Sequence, residues 1–431
     1  MISRSRILPL TFIYDDMFTD TFGHKWTTVT SVLHRVQVLS LVINSQDFPY
    51  VSIAFDSVAA PALRYLSIYL RSMIEDDTLS ISRPFLEHMP VLCQAHLRYC
   101  QLPTRASFPP ITHLTLDKAY PSGYAPWKLL DSLKSLPLLE HLELIDSLLA
   151  FGRAPPSWDT GRAHEVTFAR LQTLKISQAR FDQYADFISR VHFPADALVE
   201  LQTRLTGTTL PILPPCIFDR TIDTSSTHFS IEWLDSMSFR LLLNRKGETD
   251  SEDTTAFCSV ASSWPCRLNA TFSSSGELSH FRKRVVPLCA QLPLECVTHL
   301  SLIMTDAAVE DVMIWKNLLD HTPQLITIMT RLSTYNLRSL FSALALQSNS
   351  LSGAHPFLSK LRTVVIGIDR RRGPAPHLPS SRLIELAKSR AQSGINPLTV
   401  LIEKGCIAPE PYVAQLRDFL SVVRWAPTPR A

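Results

Sequence analysis

Glycine is scarce in this chain, 12 residues of 431, against a usual share of about 7%. Phosphate-cradling loops and dinucleotide turns need glycine for positive φ and for close approach of backbone to ligand. Little material for either is present. Long apolar runs are missing too: no window approaches the roughly 18 residues of a membrane span. The opening MISRSRILPLTFIYDD is broken by Pro9 and Thr11 and closes on Asp15 and Asp16, which fits neither a signal peptide nor a span. Lys+Arg exceeds Asp+Glu by only 42 to 39, too small a bias to imply nucleic acid or a membrane surface as partner. There is no C-x-x-C pair; the closest cysteine spacings are seven (Cys93 to Cys100, Cys289 to Cys296) and eight (Cys258 to Cys266). The eight cysteines are therefore expected as buried thiols in a reducing compartment, cytoplasmic or nuclear, rather than as zinc ligands. No G-x-S-x-G, H-E-x-x-H, Walker or EF-hand loop occurs, so no catalytic residue, metal ligand or cofactor is assigned.

What the chain does have is a phrase that it repeats. PITHLTLDKA (110–119) and PLLEHLELIDS (137–147) share a proline, then apolar residues at +3 and +5 from a first apolar residue. Strong copies are Val36/Leu39/Leu41, Leu63/Leu66/Ile68, Ile111/Leu114/Leu116, Leu139/Leu142/Leu144, Leu171/Leu174/Ile176, Val297/Leu300/Leu302 and Leu361/Val364/Ile366. Looser copies begin at Leu92, Leu198, Leu325 and, weakest, Leu398. Alternation of this kind is a short strand with one buried face. From Val36 to Leu198 the steps are 27, 29, 19, 28, 32 and 27 residues, near the leucine-rich-repeat period of roughly 20–29.

Three positions beyond the last apolar residue stand Asn44, Cys100, Ala119, Ser147, Ala179, Thr206, Thr305, Ser333 and Asp369, with bulky Arg71 the exception. Small or hydrogen-bonding side chains there are expected to serve loop backbone inside the turn.

Between strands the spacing becomes helical, at 124–136, 181–193, 307–321, 336–348 and 380–394. Pro61, Pro90, Pro110, Pro137 and Pro323 stand just ahead of the next strand, where a residue that cannot continue a helix favours extended backbone. A unit of strand, loop, helix and proline cannot bury its own apolar face, so stacked units must share one core. The expected fold is an α/β leucine-rich-repeat solenoid, a horseshoe with a parallel strand ladder. Its arc spans 1–206, an irregular strand-rich segment spans 207–295, and further repeats with a capping helix (409–425) fill 296–431. In the middle segment FRLLL (239–243) and LNATF (268–272) read as strands without intervening helices; a separate, linker-joined domain is the alternative. Acidic 248–253 and the run Arg370-Arg371-Arg372 read as solvated loops.

Residues between the buried ones point to the other, concave face. They are Tyr65, Ser67 and Tyr69; Gln94, His96 and Arg98; His113, Thr115 and Asp117; His141, Glu143 and Ile145; Thr173, Lys175 and Ser177. A protein partner is expected here, with Tyr65, Tyr69, Gln94, His96, Arg98, His113, Asp117, His141, Glu143 and Lys175 as its contacts, since tyrosine and arginine are enriched at binding hot spots. His113 and His141 share a column, so a metal site or a pH-sensitive grip stands beside simple partner contact.

Taken in order, RSRILPLTFIYD, VLHRVQVLSLVI, APALRYLSIYL, LPLLEHLELID and the C-terminal LIELAKSRAQSGINPLTVLI resemble the large group of fungal F-box/leucine-rich-repeat proteins over most of the chain. In that family an N-terminal F-box helix bundle docks on the Skp–cullin ubiquitin-ligase adaptor, and the repeats hold the substrate. The chain opens on a segment resembling the stretch just after an F-box, with no L-P-x-E-[IL]-type helix ahead of it. The resemblance therefore implies a substrate-recognition module, with the adaptor as partner only where an F-box stands upstream. A free-standing repeat scaffold is the other reading, and an enzyme with an unrecognised site in 207–295 a third.

Overall fold

The computed structural model describes residues 8–15, 22–44, 46–71, 79–81, 87–103, 110–119, 126–148, 151, 165–194, 197–205, 226–233, 238–245, 266–274, 289, 292, 294–304, 312–348, 359–367, 380–392, 397–403, 414 and 421–425. Those up to Thr203 form one compact unit, and those from Arg204 onward form another.

The first unit is a sheet of strands β1 (Leu10–Asp15), β2 (Val36–Asn44), β3 (Tyr65–Arg71), β4 (Gln94–Arg98), β5 (His113–Asp117), β6 (His141–Ile145), β7 (Thr173–Arg180) and β8 (Leu198–Leu205), adjacent in chain order. Every pair from β1 to β7 is parallel. Register places equivalent positions of the phrase side by side: Leu39, Leu66, Ala95, Leu114, Leu142 and Leu174 form one row. Leu41, Ile68, Leu97, Leu116, Leu144 and Ile176 form the next, and no member of either row is more than 5% exposed. Each leucine so buried contributes about 1.5–3 kcal/mol.

Helices α1 (Phe22–Thr30), α2 (Phe48–Ser57), α3 (Pro126–Lys134) and α4 (Phe181–Ser189) supply apolar faces to this core. Leu129, Leu130 and Leu133 of α3 are buried, as are Tyr184, Phe187 and Ile188 of α4. Phe187 meets Phe151 edge-on, with ring centroids 5.4 Å apart. Helix α4 stops at Ser189, short of the expected 193, because Val191–His192 pairs in parallel with Val166–Thr167. At its other end Gln183 accepts the backbone N–H of Arg180 at 2.9 Å, the N3 half of a capping box.

The prolines have a specific task. The carbonyls of Ala60, Met89, Leu136 and Thr322 accept the N–H groups of Leu63, Leu92, Leu139 and Leu325 at 3.1–3.2 Å. Pro61, Pro90, Pro137 and Pro323 thus occupy the second position of a β-turn, which their fixed φ suits. All four are exposed, while the leucine closing each turn is buried. The carbonyls of Arg64, Cys93, Thr112 and Glu140 then each accept two consecutive N–H groups from the start of the following strand.

At the far end of the strands Tyr99, Lys118, Asp146 and Gln178 take the left-handed conformation, with φ of 56°, 51°, 48° and 61°. None is glycine. The conformation is costly for such residues, and it is held by an interstrand bond: the N–H groups of Tyr99, Lys118 and Asp146 donate to the carbonyls of Asp117, Ile145 and Ser177 at 2.8–2.9 Å. The next residues are Cys100, Ala119, Ser147 and Ala179, all buried. Ser147 fulfils the expected turn role: its hydroxyl accepts from the Ala119 N–H at 3.1 Å and lies 2.9 Å from the Leu116 carbonyl and 3.0 Å from that of Ile145.

The second unit begins with strands β9 (Ser226–Trp233), β10 (Ser238–Arg245) and β11 (Cys266–Ser274), which form an antiparallel meander. The segments expected as strands at 239–243 and 268–272 lie inside β10 and β11. From β9 the sheet continues in parallel through β12 (His299–Met304), β13 (Thr327–Arg331), β14 (Thr363–Ile366), β15 (Thr399–Glu403) and β16 (Ser421–Trp425). Helices α5 (Val312–Asp320), α6 (Thr334–Ser348) and α7 (Ser380–Gln392) alternate with these strands. The fully buried Trp315 donates its indole N–H to Ser339 at 2.9 Å.

Several expectations need correcting. Of the stretch expected as a helix over 409–425, Ser421–Trp425 form strand β16, where Val422 and Val423 favour extended backbone and pair with β15; residues 409–413 and 415–420 lie outside the described residues. In the weakest copy, which begins at Leu398, the buried strand residues are Val400 and Ile402, paired with Val364 and Ile366. Leu198 begins β8 and is only half-buried, while Val199 and Leu201 are buried. Ser177 stands in the outward column by register, beside Ile145, but is buried there, 8% exposed. Cys100 and Cys289 are buried as expected, with thiols pushed up by desolvation, but Cys93 and Cys296 are half-buried. Thr206, Thr305, Asp369, Arg370, Arg371, Arg372 and residues 248–253 lie outside the described residues.

Candidate functional site

The sheet face opposite the buried rows carries the polar columns. Register places Tyr65, Gln94, His113, His141 and Thr173 in the first, Ser67, His96, Thr115, Glu143 and Lys175 in the second, and Tyr69, Arg98, Asp117, Ile145 and Ser177 in the third. Gln94 and Lys175 are exposed; Tyr65, Tyr69, His96, Arg98, His113, Asp117, His141 and Glu143 are half-buried. Half-burial follows from spacing, since strands about 4.8 Å apart leave each side chain leaning on its neighbours.

Three clusters form. In the third column the Arg98 guanidinium carbon lies 4.1 Å from the Tyr69 ring centroid and 5.4 Å from that of Tyr99. Its Nε stands 3.4 Å from the Asp117 carboxylate, an ion pair without hydrogen-bond geometry. In the second column Lys175 Nζ reaches Glu143 at 2.8 Å, and the Thr115 hydroxyl donates to the same carboxylate at 3.3 Å. The hydrogen bond with Glu143 raises the Lys175 ammonium above its ordinary value. In the first column the His113 and His141 rings stack with centroids 4.2 Å apart and planes 27° from parallel. His113 Nδ1 lies 2.9 Å from the Thr112 hydroxyl. Burial lowers the His113 imidazole below its usual value; a proton on His141 lowers it further, and Glu140 opposes both.

Tyr65, Gln94 and His96 are set in place by register, Tyr65 beside Gln94 and Gln94 beside His113. Sequence reasoning missed Tyr99 and Lys118. Lys118 Nζ lies 5.4 Å from the Tyr99 ring centroid, and a hydrogen bond with Tyr99 raises its ammonium. Both come just after the last outward strand residue, a place where strand alternation carries no information and the left-handed turn decides direction. Missed as well was the Arg71–Asp15 ion pair at 2.9 Å, which closes the β1 end of the third column.

Chemically, the face is a mosaic of paired charges, aromatic rings and imidazoles suited to reversible contact. Among the described residues no three His, Cys, Asp or Glu side chains are placed to hold a metal ion. No helix among them is long and apolar enough to cross a membrane. No protein-family model matches the chain, and no curated protein matches it.

Proposed function

We propose that this chain is a protein-interaction module of the leucine-rich-repeat type, whose polar sheet face is the concave partner-binding surface. The register carries this reading: six consecutive strands present their intervening side chains in ordered columns, and the columns include Tyr65, Tyr69 and Arg98, residue types that anchor protein interfaces. The repeat phrase, its proline turns and the resemblance to F-box/leucine-rich-repeat proteins support a substrate-recognition arm. Coupling to a Skp–cullin adaptor requires an F-box joined to it.

The test compares partner recovery by the full chain, by Tyr69→Ala/Arg98→Ala, and by Tyr50→Ala/Ile53→Ala, which alters exposed residues of α2. Loss with the first pair and retention with the second is expected; the reverse pattern overturns the assignment. Fusing an F-box to the N-terminus tests the ligase arm, through adaptor pull-down by the fusion against the unfused chain.

A further inference from the structure

Three of the cations on or beside the outward sheet face are already paired. Arg71 is paired with Asp15, Arg98 with Asp117, and Lys175 with Glu143. Such self-neutralised pairs offer a partner little free charge. The charge that this face can still gain is positive, on the imidazoles of His96, His113 and His141. Two of these rings are stacked against each other in the first column.

We propose that the partner is an acidic, Asp/Glu-rich polypeptide segment, gripped by the stacked His113–His141 pair when that pair takes up a proton. This rests on the sheet face being the partner surface and adds the partner's chemistry and its regulation.

The surroundings of the pair fit this role. Glu140 precedes His141, Asp117 and Glu143 lie on the same two strands, His96 and Arg98 lie on β4, and Lys175 lies on β7. The Asp117 and Glu143 carboxylates are engaged by Arg98 and Lys175, which leaves Glu140 as the acidic neighbour that acts on His113. In the free protein a proton on one ring opposes a proton on the other. An acidic segment laid along the first column removes that opposition by supplying negative charge. Binding and protonation are then linked, each raising the other. The Thr112 hydroxyl at His113 Nδ1 fixes that ring's orientation, so the stack is a preformed platform.

The test uses the full chain and a fluorescein-labelled octa-aspartate peptide, whose side chains stay ionised well below pH 6. Fluorescence anisotropy is read at pH 5.5 and 7.5 at fixed ionic strength, with octa-lysine as the control. Octa-aspartate is expected to bind about tenfold more tightly at pH 5.5, and His113→Gln/His141→Gln is expected to reduce that ratio to below about threefold. His141→Gln alone serves if the double variant unfolds. Binding that does not change with pH, or a pH ratio that survives both substitutions, overturns the proposal. Failure here is distinguishable from failure of the binding face. A partner whose binding is lost in Tyr69→Ala/Arg98→Ala but ignores pH and the histidine substitutions leaves the face standing and sinks the acidic grip.

Discussion

Arg98 lays its guanidinium over the ring of Tyr69, 4.1 Å from the centroid and one strand away. The two residues are 29 positions apart in sequence, and register alone makes them neighbours. A half-buried contact of this kind is worth about 0.5–2 kcal/mol.

A double-mutant cycle of Tyr69→Ala and Arg98→Ala is accordingly expected to give a coupling of that size in urea unfolding. The melting temperature should fall by only a few degrees, while affinity for a cognate partner drops at least tenfold. A loss of folding in the double variant would contradict the placement of both side chains on the outward face.

Leu114 and Leu142 are paired across β5 and β6 and each is 1% exposed. Leu142→Ala should cost about 2–5 kcal/mol, and Leu142→Asp more, because a carboxylate would stand in a dry row. Both rows run on through neighbouring strands, so hydrogen exchange should rise together from β4 to β7 rather than at β6 alone.

Ser147→Ala removes the acceptor of the Ala119 N–H and the hydroxyl facing Leu116 and Ile145. A buried N–H left unsatisfied costs about 1–3 kcal/mol. Chemical denaturation should show that loss, with Ser147→Thr recovering part of it.

In the second unit, Ser339→Ala takes the acceptor hydroxyl from the Trp315 indole. The indole is 1% exposed, and the expected loss is again about 1–3 kcal/mol. Ser339→Thr should be milder than Ser339→Ala in the same urea titration.

The lowered His113 imidazole sets the sign of one pH effect. The unfolded chain titrates this group near pH 6.5, so below about pH 7 it holds more protons than the folded chain. Stability contributed through His113 is therefore complete above that range. It declines as pH falls through 6.5 and levels off below the folded value. His113→Gln should flatten the unfolding midpoint between pH 7.5 and 5.5; an unchanged slope would place the effect elsewhere.

The sequence by itself determined the local pieces. Leu114, Leu142 and Leu174 announce a buried row because strand side chains alternate whatever lies beside them. Pro61, Pro90, Pro137 and Pro323 announce the end of a helix and the approach of a strand, because the ring cannot continue a helix; that each sits in a β-turn only the structure showed. Helices α3 to α7 arise from apolar spacing within single segments. What only the tertiary structure decided is which side chains meet. The repeat phrase already set His113 and His141 in one column, but the contacts themselves, Tyr69 under Arg98, the two imidazoles stacked and Lys175 against Glu143, form only when segments about 30 residues apart pair in parallel. The same dependence hid the left-handed Tyr99 and Lys118, held by bonds from the next strand. It also hid Val422 and Val423, which extend because β15 offers an edge. Register is a cooperative property of the assembled sheet, and the polar face exists only once that sheet has formed.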